Sequence, residues 1–322
     1  MADKKSKPQE TIYRPNKDIR IVVDSCADLN KDLVQALGVD VIEFEYVIDG
    51  EAHADDFFAS MSAHEFYNKM RKGLMPSTTA VTVGQYYDFF ERAAKDGKPT
   101  LYLGLTEGLS SSITFAEDAA QKIKEAYPDF ELYVIDNKCP SAAAQLLAME
   151  TVHQANMGMP AHELAEWVKE ARYFVHGYFT LESFEWLAKG GRMPAAAASI
   201  GSKLDIKPEL SYDTGGALTL RKICRGKKKA FKAMLDDFRE KRADVRSMPM
   251  GVMTSDAEGE GDVLEALIRR EPGCEEIPII RSSISTVVGS HVGPGMVAMV
   301  FWGSDRREKK SLTSKITSLI GQ

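Results

Sequence analysis

The chain has 322 residues, of which 44% are hydrophobic and 27% are charged, and its formal net charge is -6. This length predicts about two domains with sizeable cores, and the composition is that of an ordinary globular protein. The negative charge argues against a general nucleic-acid-binding protein, because such a protein would carry a basic surplus.

Cysteine spacing and the N-terminus indicate the compartment. The cysteines form neither a Cys-x-x-Cys pair nor a zinc-binding spacing, so we expect reduced thiols in a cytoplasmic protein. The polar N-terminus lacks the apolar segment of a secretory signal. The sequence has no run of about 18 apolar residues, so we expect no stable insertion into a membrane. The cysteines are Cys26, Cys139, Cys224 and Cys274.

Residues 1–17 are polar and lack periodicity, which predicts a disordered N-terminal extension. Between residues 18 and 165, apolar runs alternate with helical periodicity, which predicts an α/β domain whose helices flank a parallel sheet. The predicted strands are Arg20–Asp24, Val39–Val47, Thr100–Leu105 and Glu131–Asp136, with a hairpin turn at Asp49-Gly50. The predicted helices are Asn30–Leu37, Ser62–Lys72, Thr82–Ala94, Ser110–Ala126, Ser141–Met157 and Ala161–Ala171.

Residues 166–303 predict a second α/β domain, with a mixed sheet and helices. A hairpin is expected around the turn Asp213–Gly216, and residues 304–322 predict an amphipathic tail helix, Ser311–Leu319. The other predicted helices are an alanine-rich one up to Ile200, Lys227–Lys241 and Gly261–Arg269, and the other predicted strands are Gly251–Thr254 and Met296–Phe301.

Two hydroxyl-rich segments precede predicted helices in the first domain. Thr78 and Thr79 lie in a predicted loop before one helix, and Ser110 and Ser111 begin the next. Helix N-termini attract anions through free N–H groups and the helix dipole. Capping of the helix alone would also explain these residues, so spacing leaves both interpretations open.

His291 lies in the glycine-rich segment Gly289–Gly295, ahead of the apolar run Met296–Phe301. Glycines permit tight turns and Pro294 stiffens this one. We therefore predict that His291 lies on a rigid loop at the mouth of a buried strand, where α/β proteins place ligand-binding groups. A histidine that only hydrogen-bonds the backbone of a turn is the alternative.

If Thr78, Ser110 and His291 meet, their hydroxyls and imidazole form a cradle suited to a carboxylate. A serine and a histidine also suggest a hydrolase that uses Ser110 and His291, although the Gly-x-Ser-x-Gly pattern is absent and no third orienting group is evident. The sequence has no phosphate-binding loop or dinucleotide fingerprint, and its histidines show no ligand spacing. We therefore expect neither a cofactor nor a metal.

Cations concentrate in one segment of the second domain. Residues Arg221–Lys232 carry seven cations in twelve positions and could contact an acidic partner. A solvated helix face is the alternative, because Asp236, Asp237 and Glu240 follow closely. Arg192 follows two glycines and could reach a phosphate in a bidentate manner.

Taken together, these segments resemble the DegV family of bacterial fatty-acid-binding proteins over residues 18–303. Each motif is common by itself, whereas their order and spacing are specific. The residues after Thr78 and after Ser110 depart from the family pattern, so the identity of the ligand stays open. The matching segments are Val23–Leu29, Pro76–Thr79, Leu109-Ser110, Val134–Asp136, Gly190–Arg192, Leu204–Pro208 and His291–Gly295.

The resemblance implies two α/β domains with a long-chain fatty acid between them. The acyl chain would lie in an apolar tunnel, and its carboxylate would be presented to a separate ATP-dependent fatty acid kinase subunit. The protein itself would carry no catalytic machinery, and Arg192 would stand near the exposed head group. The implied ligand-binding residues are Thr78, Thr79, Ser110, Ser111, Arg192, His291 and Gly293.

Overall fold

The computed structural model describes residues 14–193, 206–243 and 248–308. The alanine-rich helix predicted up to Ile200, the predicted tail helix Ser311–Leu319 and most of the predicted N-terminal extension lie outside the described residues. The described chain has an N-terminal half and a C-terminal half, each with its own main sheet. The predicted α/β class is confirmed.

The N-terminal half contains a four-stranded parallel sheet flanked by helices and a three-stranded antiparallel sheet. Its strands are β1 (Arg20–Asp24), β2 (Asp40–Ile42), β3 (Glu45–Ile48), β4 (Glu51–Ala54), β5 (Ser77–Thr79), β6 (Thr100–Gly104) and β7 (Leu132–Asp136). Its helices are α1 (Lys31–Leu37), α2 (Ala63–Arg71), α3 (Val83–Asp96), α4 (Ser112–Ala126), α5 (Ala142–Asn156) and α6 (Ala161–Ala171). The strand order is β2-β1-β6-β7 in the parallel sheet and β4-β3-β5 in the antiparallel sheet.

Capping residues mark the ends of helices in this half. The side chain of Asn30 accepts a hydrogen bond from the Leu33 N–H at the start of α1, and Gly38 ends this helix with φ of 63°. Thr82 and Gln85 form a capping box at the start of α3. Such residues pair N–H groups that the first turn of a helix leaves free, which makes these boundaries readable from sequence.

The predicted strand Val39–Val47 is wrong, because the chain divides it between two sheets. β2 joins the parallel sheet and β3 the antiparallel one. At the break, the N–H of Phe44 donates to Ser25 Oγ at 3.1 Å, and its carbonyl accepts from the Asp55 N–H at 2.8 Å. The predicted hairpin at Asp49-Gly50 is confirmed, since β3 and β4 flank it and pair antiparallel.

Thr78 and Thr79 lie on a short strand and not in the predicted loop. In β5, Thr78 pairs with Tyr46 and Thr79 with Glu45 of β3. Successive side chains of a strand point to opposite faces, so the two hydroxyls face different surroundings. This strand forms because it pairs with β3, which is distant in the sequence. Its three residues are too few to show a periodicity from which a strand could be predicted.

The C-terminal half contains a six-stranded mixed sheet. Its strands are β8 (Val175–Thr180), β9 (Ile206–Tyr212), β10 (Leu218–Arg225), β11 (Met250–Thr254), β12 (Ile279–Ser283) and β13 (Val297–Trp302). Its helices are α7 (Glu185–Lys189), α8 (Lys227–Lys241), α9 (Glu258–Ile268) and α10 (Thr286–Val292). The strand order is β10-β9-β8-β13-β11-β12, and within the described sheet the β11–β12 pair is parallel while the others are antiparallel. The predicted hairpin is confirmed as β9–β10.

The predicted loop position of His291 is wrong, because this residue lies in the last turn of helix α10. The side chain of Ser285 caps the helix by accepting from the Val288 N–H, and Gly293 ends it with φ of 74°. Glycine and β-branched residues, both present in α10, are poor helix formers. The helix therefore depends on contacts with the N-terminal half, which the local sequence does not reveal.

Helix α5 lies between the two main sheets and joins the halves. It is buried on nearly all sides and contacts α6 as well as β8, β11 and β13. One continuous core cluster includes Leu103 of β6, Leu147 of α5 and Val300 of β13. A helix that is apolar around its circumference belongs in such a core. The predicted domain boundary near residue 165 stays a prediction.

Candidate functional site

A cavity lies between the two halves. It contains about 1010 Å³ of empty space, including its open mouth. Phe44 and Leu105 line it from the N-terminal half, and Phe179, Met296 and Val300 line it from the C-terminal half. Because most of its wall is aliphatic or aromatic, the cavity suits a ligand with a long apolar body.

Three polar residues of the wall, Thr78, His291 and Arg192, lie together. Thr78 Oγ1 and His291 Nε2 form a hydrogen bond of 2.9 Å, which joins β5 to α10 across the two halves. The backbone of Gly190 lies against the imidazole. Arg192 donates from Nη1 to the Gly190 carbonyl at 2.6 Å and from Nε to the Leu109 carbonyl at 3.1 Å. One polar group is therefore built from residues far apart in the sequence.

His291 is uncharged at neutral pH. Burial lowers its pKa to about 4, and the positive charge of Arg192 contributes in the same direction. Its Nδ1 is buried and has no hydrogen-bond partner within the described residues. A neutral imidazole has one donor and one acceptor nitrogen, so Nε2 can either donate to Thr78 or accept from it.

The predicted serines and Thr79 also line the cavity. Ser110 Oγ accepts from the Ser112 N–H at 3.2 Å and donates to Ser112 Oγ at 3.1 Å, so it also shapes the start of α4. Ser111 is exposed and makes no side-chain capping bond. Thr79 Oγ1 donates to Glu45 Oε2 at 3.3 Å. Capping and cavity lining are thus combined in Ser110.

Arg192 lies in the wall of the cavity and is partly buried. Burial lowers the pKa of its guanidinium. Its hydrogen bonds to two carbonyls connect Gly190, whose backbone contacts His291, with the loop that carries Ser110. The side chain therefore braces the polar group in addition to the head-group role that the sequence resemblance implies.

Gly293 does not line the cavity. A Cβ at this position would collide with the indole of Trp186, and the positive φ of Gly293 ends α10 directly after Val292. Its carbonyl accepts from Ser255 Oγ at 2.7 Å. The structure therefore gives Gly293 a part in shaping the end of α10, and direct ligand contact stays a prediction.

Comparison with known families decides the identity of the fold. Residues 18–303 match the model of the DegV family, which is described as a family of uncharacterised proteins. The chain belongs to the DegV family. A DegV domain-containing protein of Clostridium perfringens is 30% identical over 290 residues, which cover 90% of this chain and 99% of that relative.

Solved DegV structures share this fold. A DegV family protein of Thermus thermophilus, described for its fatty acid binding, has a TM-score of 0.80 at 23% identity and covers 89% of this chain and 100% of its own. The fatty acid kinase B3 protein of Streptococcus pneumoniae, loaded with linoleic acid, has a TM-score of 0.76 at 18% identity, with coverage of 89% and 100%. At these identities the likeness establishes the fold.

The geometry of this DegV protein does not favour a serine hydrolase. A nucleophile needs a base within hydrogen-bonding reach, and the base needs an orienting partner. Here His291 Nε2 bonds Thr78, whereas Ser110 Oγ bonds Ser112. No carboxylate within the described residues meets His291 Nδ1.

Across residues 14–193, 206–243 and 248–308, no group of three or more His, Cys, Asp or Glu side chains could hold a metal ion. In the same ranges no helix is long and apolar enough to cross a membrane.

Sequence reasoning missed most of the residues that shape this DegV site. Phe179 and Tyr212 line the cavity, yet their apolar patterns are those of ordinary core strands. Asp28 and Asp55 are buried beside the start of α10. The sequence did offer a signal for Asp28, because it is a charged residue within Val23–Leu29, a segment that matches the family.

Proposed function

We propose that this DegV protein binds a long-chain fatty acid in the cavity. Thr78 and Ser110 hold the carboxylate, and His291 completes the hydrogen-bond network. The observation that carries the proposal is the Thr78–His291 pair set in the wall of a largely apolar cavity. This combination suits a molecule with one polar end and a long hydrocarbon chain.

The apolar wall and its few polar groups match what the binding of a fatty acid requires energetically. Each buried CH₂ contributes roughly 0.8 kcal/mol, so the hydrocarbon chain supplies most of the affinity. A buried carboxylate needs hydrogen-bond donors. When the neutral imidazole of His291 donates from Nε2 to Thr78 Oγ1, the hydroxyl hydrogen of Thr78 is free to point at the carboxylate. The imidazole thus orients a donor without adding a charge.

We further propose that the protein presents this carboxylate to a separate ATP-dependent fatty acid kinase in the cytoplasm and catalyses no step itself. The relative from S. pneumoniae that is named as a fatty acid kinase B3 protein supports this role. The segment Arg221–Lys232 is a candidate docking surface. Within the described residues, Arg225, Lys228 and Lys229 have no ion pair, so their charge is available to an acidic partner.

Co-purification tests the ligand. Protein expressed in bacteria should release a long-chain fatty acid when it is denatured and extracted, and native mass spectrometry should show the intact complex. The extracted protein should bind fatty acid again in a fluorescence-displacement titration. A protein that neither contains nor rebinds fatty acid contradicts the proposal, and turnover of an acyl ester would favour the hydrolase.

Thr78→Val tests the head group, because it removes the hydroxyl and keeps the shape. Hydrogen bonds to charged groups contribute roughly 1.5–3 kcal/mol, so affinity for fatty acid should fall about tenfold or more. Thr114→Val, on the exposed surface of α4, is the matched control. Equal affinity in both variants would place the carboxylate elsewhere.

A further inference from the structure

Two buried aspartates of the N-terminal half hold the start of α10. Asp28 Oδ1 accepts from the Ser285 N–H at 2.9 Å. Asp55 Oδ1 accepts from the Thr286 N–H at 3.2 Å and from the Thr286 hydroxyl at 2.7 Å. Each aspartate is 1% exposed. One half of the molecule thus supplies acceptors for N–H groups that a helix of the other half leaves free.

The position of α10 depends on these external partners. The helix has seven residues, so few of its N–H groups have partners within it. The Tyr67 hydroxyl donates to the Ile284 carbonyl at 2.7 Å, and a Cβ at Gly289 would collide with Tyr67. The hydroxyl of Ser141 in turn donates to Asp28.

His291 lies at the other end of this short helix. A shift of the helix start carries the imidazole with it, because a helix moves nearly as a rigid body over so few residues. The hydrogen bond to Thr78 crosses from α10 to β5, and its length of 2.9 Å leaves little tolerance for displacement.

We propose that Asp28 and Asp55 are positioning residues of the binding site: they fix α10 so that His291 stays within hydrogen-bonding distance of Thr78. The assignment rests on the proposed function, since the imidazole serves the ligand head group. Burial raises the pKa of Asp28 to about 7 and that of Asp55 to about 6. Their ionised forms are therefore costly to bury, which is consistent with a specific task at this place.

The first test reads His291 directly in protein without ligand. Nitrogen-15 spectra of labelled histidine report the tautomer and the hydrogen bonding of the ring, and the resonance missing from His291→Gln identifies the residue. Asp55→Ala should shift this resonance. Asp55→Asn should restore it, because the amide oxygen can still accept from the N–H and the hydroxyl of Thr286.

Asp237→Ala is the matched control. Asp237 is a buried carboxylate on α8 that pairs with Lys222 and does not line the cavity. Its loss should lower stability without moving the His291 resonance. An equal shift in Asp237→Ala, or no shift in Asp55→Ala, would overturn the assignment. If Asp55→Ala does not fold, Thr286→Val replaces it as the test variant. It removes one hydrogen bond to Asp55 and should shift the His291 resonance less, in the same direction. The absence of that shift counts against the proposal.

The second test separates positioning from loss of packing. Palmitic acid and cetyl alcohol are unbranched saturated molecules with the same number of carbon atoms, and the acid alone has a carboxylate. Asp55→Ala should lower affinity for the acid about tenfold and change affinity for the alcohol little. Equal losses for both ligands would indicate a damaged cavity and overturn the proposal. If the unaltered protein binds neither ligand, the proposed function fails, while the spectra still test the position of His291.

Discussion

The backbone of Gly190 lies against the imidazole of His291, and this contact leaves room for hydrogen alone. A Cβ built there would overlap His291 Nδ1, although the backbone has φ of -72° and ψ of -7°, which alanine adopts readily. Gly191 is the opposite case, because its φ is 71° and no atom lies within 4 Å of a Cβ. Gly190 is therefore required because a side chain does not fit, whereas Gly191 is required because of its backbone conformation.

Gly190→Ala should displace the imidazole and lower the free energy of unfolding by roughly 1–3 kcal/mol, as overpacking does. The same substitution in a His291→Ala background should cost little, because the overlapping ring is gone. Urea unfolding of the four proteins measures the coupling between the two positions. Gly84→Ala, in a helix with no contact closer than 3.9 Å, is the control and should not destabilise. A cost that persists without the imidazole would contradict this account.

At this scale the sequence predicts residues whose chemistry stands out from their surroundings. Thr78, Ser110 and His291 are polar residues beside apolar runs, and the structure brings all three to one cavity. The sequence cannot show that His291 bonds Thr78 and not Ser110, because that choice depends on the packing of α10 against β5. Whether these residues hold a ligand stays a prediction.

Among elements, those that combine their own end signals with good helix-forming residues are predictable, and those that depend on distant partners are not. The helix that begins after Asn30 and the one that begins after Thr82 carry caps in the sequence. β5 exists because β3 lies beside it, and α10 exists because acidic side chains of another segment accept its N–H groups. No local pattern encodes such partners.

The aspartates at the start of α10 should make stability depend on pH. The pKa of Asp28 is about 7 in the fold, against 3.8 for an ordinary aspartate. The folded protein therefore holds this proton more tightly, and the contribution of Asp28 to the free energy of unfolding falls as pH rises from about 4 to about 7. His176 and His291 act in the opposite direction, because burial lowers the pKa of each to about 4 and their contribution falls as pH drops below 6.5.

Asp28→Asn isolates the aspartate from these histidines. Its amide oxygen can still accept from Ser285, and its amide group can donate to Ser141. Between pH 4 and pH 7, the slope of unfolding free energy against pH should rise by up to about 1.4 kcal/mol per unit relative to the unaltered protein. Urea unfolding at several pH values measures the slope. The exposed Asp18→Asn should reproduce the original curve, and an Asp28→Asn curve parallel to the original would refute the linkage.

For the molecule as a whole, alternation of strands and helices predicts both sheets but not the space between them. Phe179 and Val300 face the cavity, yet each lies in a strand whose apolar residues would equally fill a core. A cavity arises when two sheets and α5 meet without filling the gap. That outcome depends on the relative placement of elements, which periodicity does not contain.

One arginine near the end of the described chain ties several segments together. Arg306 donates to the carbonyls of Lys138 at 3.0 Å, Arg172 at 3.1 Å and Asp213 at 2.7 Å. Its guanidinium also lies 4.5 Å from the ring centroid of Tyr212, which lines the cavity. These partners follow β7, follow α6 and begin the β9–β10 turn, so a single side chain spans both halves.

Arg306→Ala should therefore destabilise the whole molecule, by roughly 1–3 kcal/mol, because it leaves several carbonyls without their donor. Arg306→Lys should restore little, since an ammonium lacks the planar fork that reaches three acceptors at once. Arg307→Ala is the matched control: Arg307 pairs with Glu170 and Asp305 on an exposed surface, where ion pairs contribute about 0–1 kcal/mol. Urea unfolding followed by fluorescence measures all three variants. Equal losses for Arg306→Ala and Arg307→Ala would show that the carbonyl contacts of Arg306 do not hold the halves together.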